Sequence, residues 1–129
     1  MSGQELAVYR REKDAKLPTI TSRGSAGYTI YANHSGYIDA NSRIVVSTGL
    51  AISIPHGYCG QLWSIPKLQF NSDITVGPEV IDSDYTDELK IILYNRSKTR
   101  FTFKQHRGIA QLIITPIITP PVVNYTWMS

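Results

Sequence analysis

Apolar positions along the chain recur in short alternating runs, and the breaks between them fall on Gly, Pro, Asn and Asp. Such runs predict strands near Leu6–Tyr9, Gly27–Ala32, Arg43–Ile54, Gly60–Ile65, Glu79–Ile81, Glu88–Asn95, Arg100–Phe103 and Gly108–Ile117. Turn chemistry separates them at Asn33 to Gly36, Ile54-Pro55-His56-Gly57, Asn71-Ser72-Asp73 and Asn95-Arg96-Ser97-Lys98. Helical periodicity is nearly absent. Many short strands at this spacing predict an all-β barrel or jelly roll.

A length of 129 residues predicts a single domain over 1–129, large enough to hold a core without cross-links. The last segment, 116–129, breaks the pattern. Pro116, Pro120 and Pro121 remove backbone donors and hold the chain extended. Its Ile, Val and Trp side chains would stay wet on an isolated subunit. It is expected to be an extended arm lying on a neighbouring subunit, with a free tail as the rival reading.

Charge changes this picture little. The formal net charge is +3 and the basic residues are scattered: Arg10, Arg11, Lys13 and Lys16, then Arg96 to Arg107. That favours solubility and a mild attraction to anions, without the aromatic-interleaved basic stripe of a nucleic-acid binder. One cysteine, Cys59, cannot form an internal disulfide. The N-terminus has no apolar core and no run approaches the length of a membrane helix. The expectation is an intracellular or virion-associated protein, neither secreted nor inserted in a membrane. The glycosylation triplets at Asn33, Asn95 and Asn124 are therefore read as unused. His34, His56 and His106 lack metal-ligand spacing, and there is no Walker loop or dinucleotide fingerprint, so no metal site is expected from spacing.

The candidate chemistry lies in "EVIDSDYTDEL" (79–89), where five acidic side chains and a tyrosine surround Val80-Ile81. Read with "GSAGYTIYA" (24–32), "STGLAISIPHGYCG" (47–60) and "RGIAQLII" (107–114), this segment resembles the trimeric dUTP pyrophosphatase (dUTPase) family. The resemblance covers about residues 17–115. It implies a β-barrel or jelly-roll subunit, a homotrimer with an exchanged C-terminal strand, and ligand sites at the subunit interfaces.

The resemblance also assigns roles. Asp82 falls where the family has its water-activating aspartate, and Tyr85 where a tyrosine packs against deoxyribose and excludes a 2′-hydroxyl. Asp84 falls on a common acidic position. Elsewhere the pattern departs. Glu79 and Asp87 stand at glycine positions, and Thr86 at an arginine. Ser64-Ile65-Pro66-Lys67-Leu68 replaces Pro-Arg-Ser-Gly-Leu, losing two phosphate donors and gaining only the point charge of Lys67. Thr29 replaces an aspartate. His106-Arg107-Gly108 replaces Gly-Asp-Arg, although Ile109 to Leu112, with Gln111, is kept. The family's glycine-rich closing segment has no counterpart after Thr115. Each lost charge-assisted hydrogen bond costs roughly 1.5–3 kcal/mol, and each 1.36 kcal/mol is about tenfold in rate.

On this arithmetic the leading expectation is a pseudoenzyme, a non-catalytic viral member similar to the adenovirus early-region-four dUTPase-like proteins. It would act by protein–protein interaction, as an adaptor for host signalling proteins or as a capsid-associated structural component, through Trp63, Tyr125, Trp127 and Met128. The same residues could instead serve the trimer's own interface. It would need no cofactor, and Asp82 would be vestigial, a strand-end carboxylate accepting backbone hydrogen bonds in its turn. The alternative is an active, Mg²⁺-dependent dUTP diphosphatase with a rearranged site, using Asp82 as base, Tyr85 and Gln111 on the nucleotide, and Lys67 or Arg107 on phosphate. A weaker third reading is an anion-binding surface on the basic residues 96–107.

Overall fold

In a computed structural model that describes residues 4–127, the chain forms ten strands and one short helix. The strands are β1 (Ala7–Arg10), β2 (Tyr28–Tyr31), β3 (Gly36–Ile38), β4 (Ser42–Ser53), β5 (Tyr58–Trp63), β6 (Ile74–Val76), β7 (Glu79–Ile81), β8 (Glu88–Asn95), β9 (Phe101–Phe103) and β10 (Gly108–Pro116). Two antiparallel four-stranded sheets face each other, ordered β1-β4-β8-β6 and β2-β10-β5-β7, and the pair β3-β9 closes one end. The expected all-β jelly roll is what forms.

Period-two alternation decides which side chains fill the space between the sheets. In β8, Leu89, Ile91 and Leu93 point inward and are fully buried, as are Ile30, Ile109 and Leu112 from the other sheet. Phe103 plugs the end beside Ile38. Thr48 and Asn95 are the buried polar residues among those described, and Asn95 is fully satisfied. Its Nδ2 donates to the carbonyls of Ile38 (2.9 Å) and Thr99 (2.8 Å), and its Oδ1 accepts from the Ser97 amide (3.0 Å).

Three elements differ from the sequence expectation. Gly36–Ile38, expected to end a turn, starts a strand by pairing with β9. Ile74–Val76 pairs with the end of β8, too short a run for its periodicity to show. Pro66–Ser72 is a helix, α1, between the expected strand ending at Ile65 and the turn expected at Asn71-Ser72-Asp73, where the pattern assigned no element; Pro66 opens it, where a missing amide is harmless, and Asp73 ends it in the left-handed conformation. Only Leu68 of α1 is buried, so the helix carries no apolar stripe for a periodicity search to find.

Candidate functional site

β7 pairs with β5, which pairs in turn with β10. Ile81 lies opposite Gly60, so Asp82, one residue on, leaves the sheet level with Cys59. Gln111 lies opposite Trp63 on one side and Thr29 on the other. Asp82 and Gln111 therefore sit at opposite ends of β5, about 13 Å apart along the strand direction alone. Lys67, exposed on α1, follows the Trp63 end of β5. The fold thus brings Lys67 and Gln111 to one end of the sheet, and Asp82 and Tyr85 to the other.

The loop between β7 and β8 crosses from one sheet to the other. The Tyr85 amide donates to the Asp82 carbonyl (3.1 Å), closing the turn. The turn is thus closed by the carbonyl of Asp82, and its carboxylate is exposed to solvent. Tyr85 packs its ring against the core and donates its hydroxyl to the Glu88 carbonyl, 2.8 Å away. Burial raises the Tyr85 phenol above its ordinary pKa, and the charges of Asp87, Glu79 and Glu88 add to this. The phenol stays protonated, a donor rather than an anion.

Sequence reading missed what anchors this loop. β4 and β8 keep register from Ser42↔Asn95 to Ser47↔Lys90, then resume at Ala51↔Glu88. Thr48, Gly49 and Leu50 form a bulge opposite Leu89. The Glu88 carboxylate accepts hydrogen bonds from the Gly49 amide (3.0 Å) and the Ser47 hydroxyl. Burial opposes ionisation of Glu88, but those two bonds, with Lys90 and Arg11, outweigh it and hold its pKa below the usual value. The available signal was Gly49 in the interior of the longest expected strand.

Tyr85 opens onto a cleft of about 530 Å³ lined also by Arg11, Glu12, Asp87, Glu88 and Lys90. Asp87 faces this cleft with Tyr85. Glu79 lines a separate apolar groove with Gln61, Trp63 and Val80. Arg11 and Lys90 set positive charge against the carboxylates. The basic residues 96–107 lie toward the opposite end of β8, where Arg96, Arg100 and Arg107 stack on Tyr94, Tyr37 and Phe101. Their guanidinium faces are engaged within the subunit.

Trp63 is half-exposed and donates its indole N–H to Gln61 (3.0 Å), while Tyr125 and Trp127 are 86% and 89% exposed on the arm. Met128 lies outside the described residues. Among those residues no cluster of three His, Cys, Asp or Glu side chains is assembled. Cys59 is buried against Thr115.

Residues 13–128 match the dUTPase family model. The chain belongs to the dUTPase family. It is 40% identical over 117 residues to the deoxyuridine 5'-triphosphate nucleotidohydrolase of Paramecium bursaria Chlorella virus 1, covering 91% of this chain and 83% of that protein. The Debaryomyces hansenii protein of the same name is 35% identical over 123 residues (95% and 77%), and that of Fowlpox virus 33% over 126 residues (98% and 87%). The dUTPase of Staphylococcus aureus phage phi11, in its D95N form, superposes with a TM-score of 0.88 at 23% identity, covering 94% of this chain and 96% of that one. The last likeness speaks to fold alone.

These relatives overturn the expectation of a non-catalytic scaffold. The dUTPase-like proteins that match nearly the whole of this chain are named as nucleotidohydrolases, in a virus of algae, a poxvirus and a yeast. The narrower likeness to adenovirus early-region-four proteins is not shown by them. A count of lost donors position by position leaves out cations carried at other positions of the chain. A cation missing at Ile65 can be supplied at Lys67, or from another part of an assembled site.

Proposed function

We propose that this dUTPase-family chain hydrolyses dUTP to dUMP and pyrophosphate, in sites shared between the subunits of a homotrimer. The observation that carries this reading is the β7–β8 loop. It leaves the Asp82 carboxylate free and holds Tyr85 as a neutral, buffered ring, in a chain whose relatives are named for this hydrolysis.

Asp82 takes a proton from water as the water oxygen bonds to the α-phosphorus. The bond from that phosphorus to the bridging oxygen breaks, and pyrophosphate leaves. The Tyr85 ring packs against the deoxyribose and leaves no room for a 2′-hydroxyl. Separation of Asp82 from Lys67 and Gln111 within one chain is the reason to share the site: the base of one copy meets the phosphate-facing residues of another.

Asp82 and Asp84 are exposed and offer hard carboxylate oxygens. That donor set fits Mg²⁺ carried on the triphosphate, which keeps waters and phosphate oxygens rather than a full protein cage. When bound, Mg²⁺ would neutralise charge on the phosphate chain. Asp82 and Asp84 would hold it through its waters.

The test is pyrophosphate release from dUTP with Mg²⁺, with calorimetric titration of dUMP on the same preparation. Turnover that falls about 10²–10⁴-fold in Asp82→Asn, without loss of dUMP binding, supports the reading. A folded oligomer that neither binds dUMP nor releases pyrophosphate overturns it.

A further inference from the structure

We propose that Glu88 is a positioning residue for Tyr85, and that the β4 bulge acts through it to set the preference for deoxyribose over ribose. The inference rests on the proposed dUTP reading and goes beyond it, because neither Glu88 nor the bulge touches the nucleotide in that reading.

One residue makes both connections. Through its carbonyl, Glu88 accepts the Tyr85 hydroxyl at 2.8 Å. Through its carboxylate, it accepts the Gly49 amide at 3.0 Å and the Ser47 hydroxyl. The Gly49 amide lies where the strand register jumps, so the β4–β8 ladder offers it no carbonyl. The Glu88 carboxylate takes the place of that missing rung. The next rung is also made by a side chain: Thr48 donates its hydroxyl to the Leu89 carbonyl (2.5 Å) and accepts the Leu50 amide (3.2 Å). Gly49 is tied on its other face, where its carbonyl accepts the Arg11 amide at 2.8 Å. The bulge is therefore fixed from both sides, and Glu88 transmits that rigidity to the ring that would face the sugar.

A ring that rejects a hydroxyl must be held firmly. A displacement of about 1 Å suffices to open space for one oxygen or to lose the packing that orients the sugar. Tyr85 stands on a loop between two sheets, and its own turn supplies only the Asp82 contact. The bond to Glu88 is what directs the ring, and it points correctly only while the start of β8 is held on the bulge.

Three variants test this: Glu88→Ala removes the carboxylate, Glu88→Gln keeps an acceptor oxygen, and Ser47→Ala removes one donor. The readout is the ratio of kcat/KM for dUTP to that for UTP. The ratio is expected to fall about tenfold or more in Glu88→Ala, which loses both contacts of the carboxylate, to stay near the parent value in Glu88→Gln, and to fall in between in Ser47→Ala, which loses one. A residue that only supports the fold would lower both rates together and leave the ratio unchanged, which would overturn the proposal.

Amide hydrogen exchange at Gly49 and Tyr85 supplies a readout that needs no turnover. Faster exchange at both amides in Glu88→Ala, with Glu88→Gln restoring protection, supports the clamp even if the parent chain hydrolyses nothing. Unchanged exchange at Tyr85 overturns the clamp whatever the activity. Absence of turnover in the parent chain overturns the dUTP reading instead, so the two failures are distinguishable.

Discussion

A Cβ placed on Gly49 would lie 2.7 Å from the side-chain nitrogen of Asn33, and Gly49 itself sits at φ +69°. Backbone geometry and packing both demand glycine there. The left-handed conformation costs a residue with a side chain about 1–2 kcal/mol, and Asn33 would have to shift as well. Gly49→Ala should lower the melting temperature by several degrees in thermal unfolding. Because Gly49 donates to Glu88, the same variant should weaken dUTP-over-UTP discrimination. An unchanged melting temperature would show that the bulge relaxes without cost.

Glu88 predicts how stability depends on acidity. Its folded pKa lies below the ordinary 4.5. The ionised form is therefore favoured by folding, and its stabilisation is complete above the unfolded value. It is lost as pH falls through the folded value. The melting temperature of the parent should drop more steeply than that of Glu88→Gln as pH is lowered from 5 toward 3. Parallel curves would mean that the Ser47 and Gly49 contacts bind the neutral acid equally well.

Tyr85 carries two separable features, a ring and a hydroxyl. Tyr85→Phe keeps the ring that would exclude a 2′-hydroxyl and removes the bond to Glu88. It should cost about 0.5–1.5 kcal/mol of stability, the net worth of one hydrogen bond, and leave part of the sugar discrimination. Tyr85→Ala should abolish the discrimination. If Phe and Ala behave alike in kcat/KM ratios, the hydroxyl matters more than the ring.

Lys67 is exposed on α1, at the sheet end away from Asp82. As a phosphate partner in a shared site it should act on binding. Lys67→Ala should raise the KM for dUTP about tenfold and leave the affinity for dUMP much less affected. Equal loss for both nucleotides would place Lys67 elsewhere in the site.

The long strands were legible because burial imposes a period of two on their side chains. Glu88–Asn95 was expected at the boundaries observed. Tyr85 stood out as a candidate because its neighbours along the chain form a recognisable string. Glu88, Ser47 and Gly49 were not legible as a unit. Their contacts span 39 and 41 residues and depend on a strand bulge, which leaves only a glycine as its trace. Helix α1 was hidden for a different reason: with one buried side chain it has no periodicity to read. The non-catalytic expectation came from counting charges along one chain, although the fold separates Asp82 from Lys67 and Gln111.

The arm gives the last test. Ile117 donates its amide to the Gly57 carbonyl (2.9 Å), and beyond it Ile118, Val122 and Trp127 are 89%, 97% and 89% exposed. Leaving several large apolar side chains in water is unfavourable by roughly 1.5–3 kcal/mol each relative to burial. Pro120 and Pro121 favour an extended chain, and residues 117–127 form no helix or strand. A neighbouring copy is the surface that the proposed shared site would bring against it. Removing residues 118–129 should therefore leave the barrel folded, with a near-unchanged circular dichroism spectrum, but shift sedimentation from trimer toward monomer. Turnover should fall with the trimer and recover at high protein concentration. A truncated chain that still sediments as a trimer would assign assembly to the barrel faces and leave the arm without a part in it.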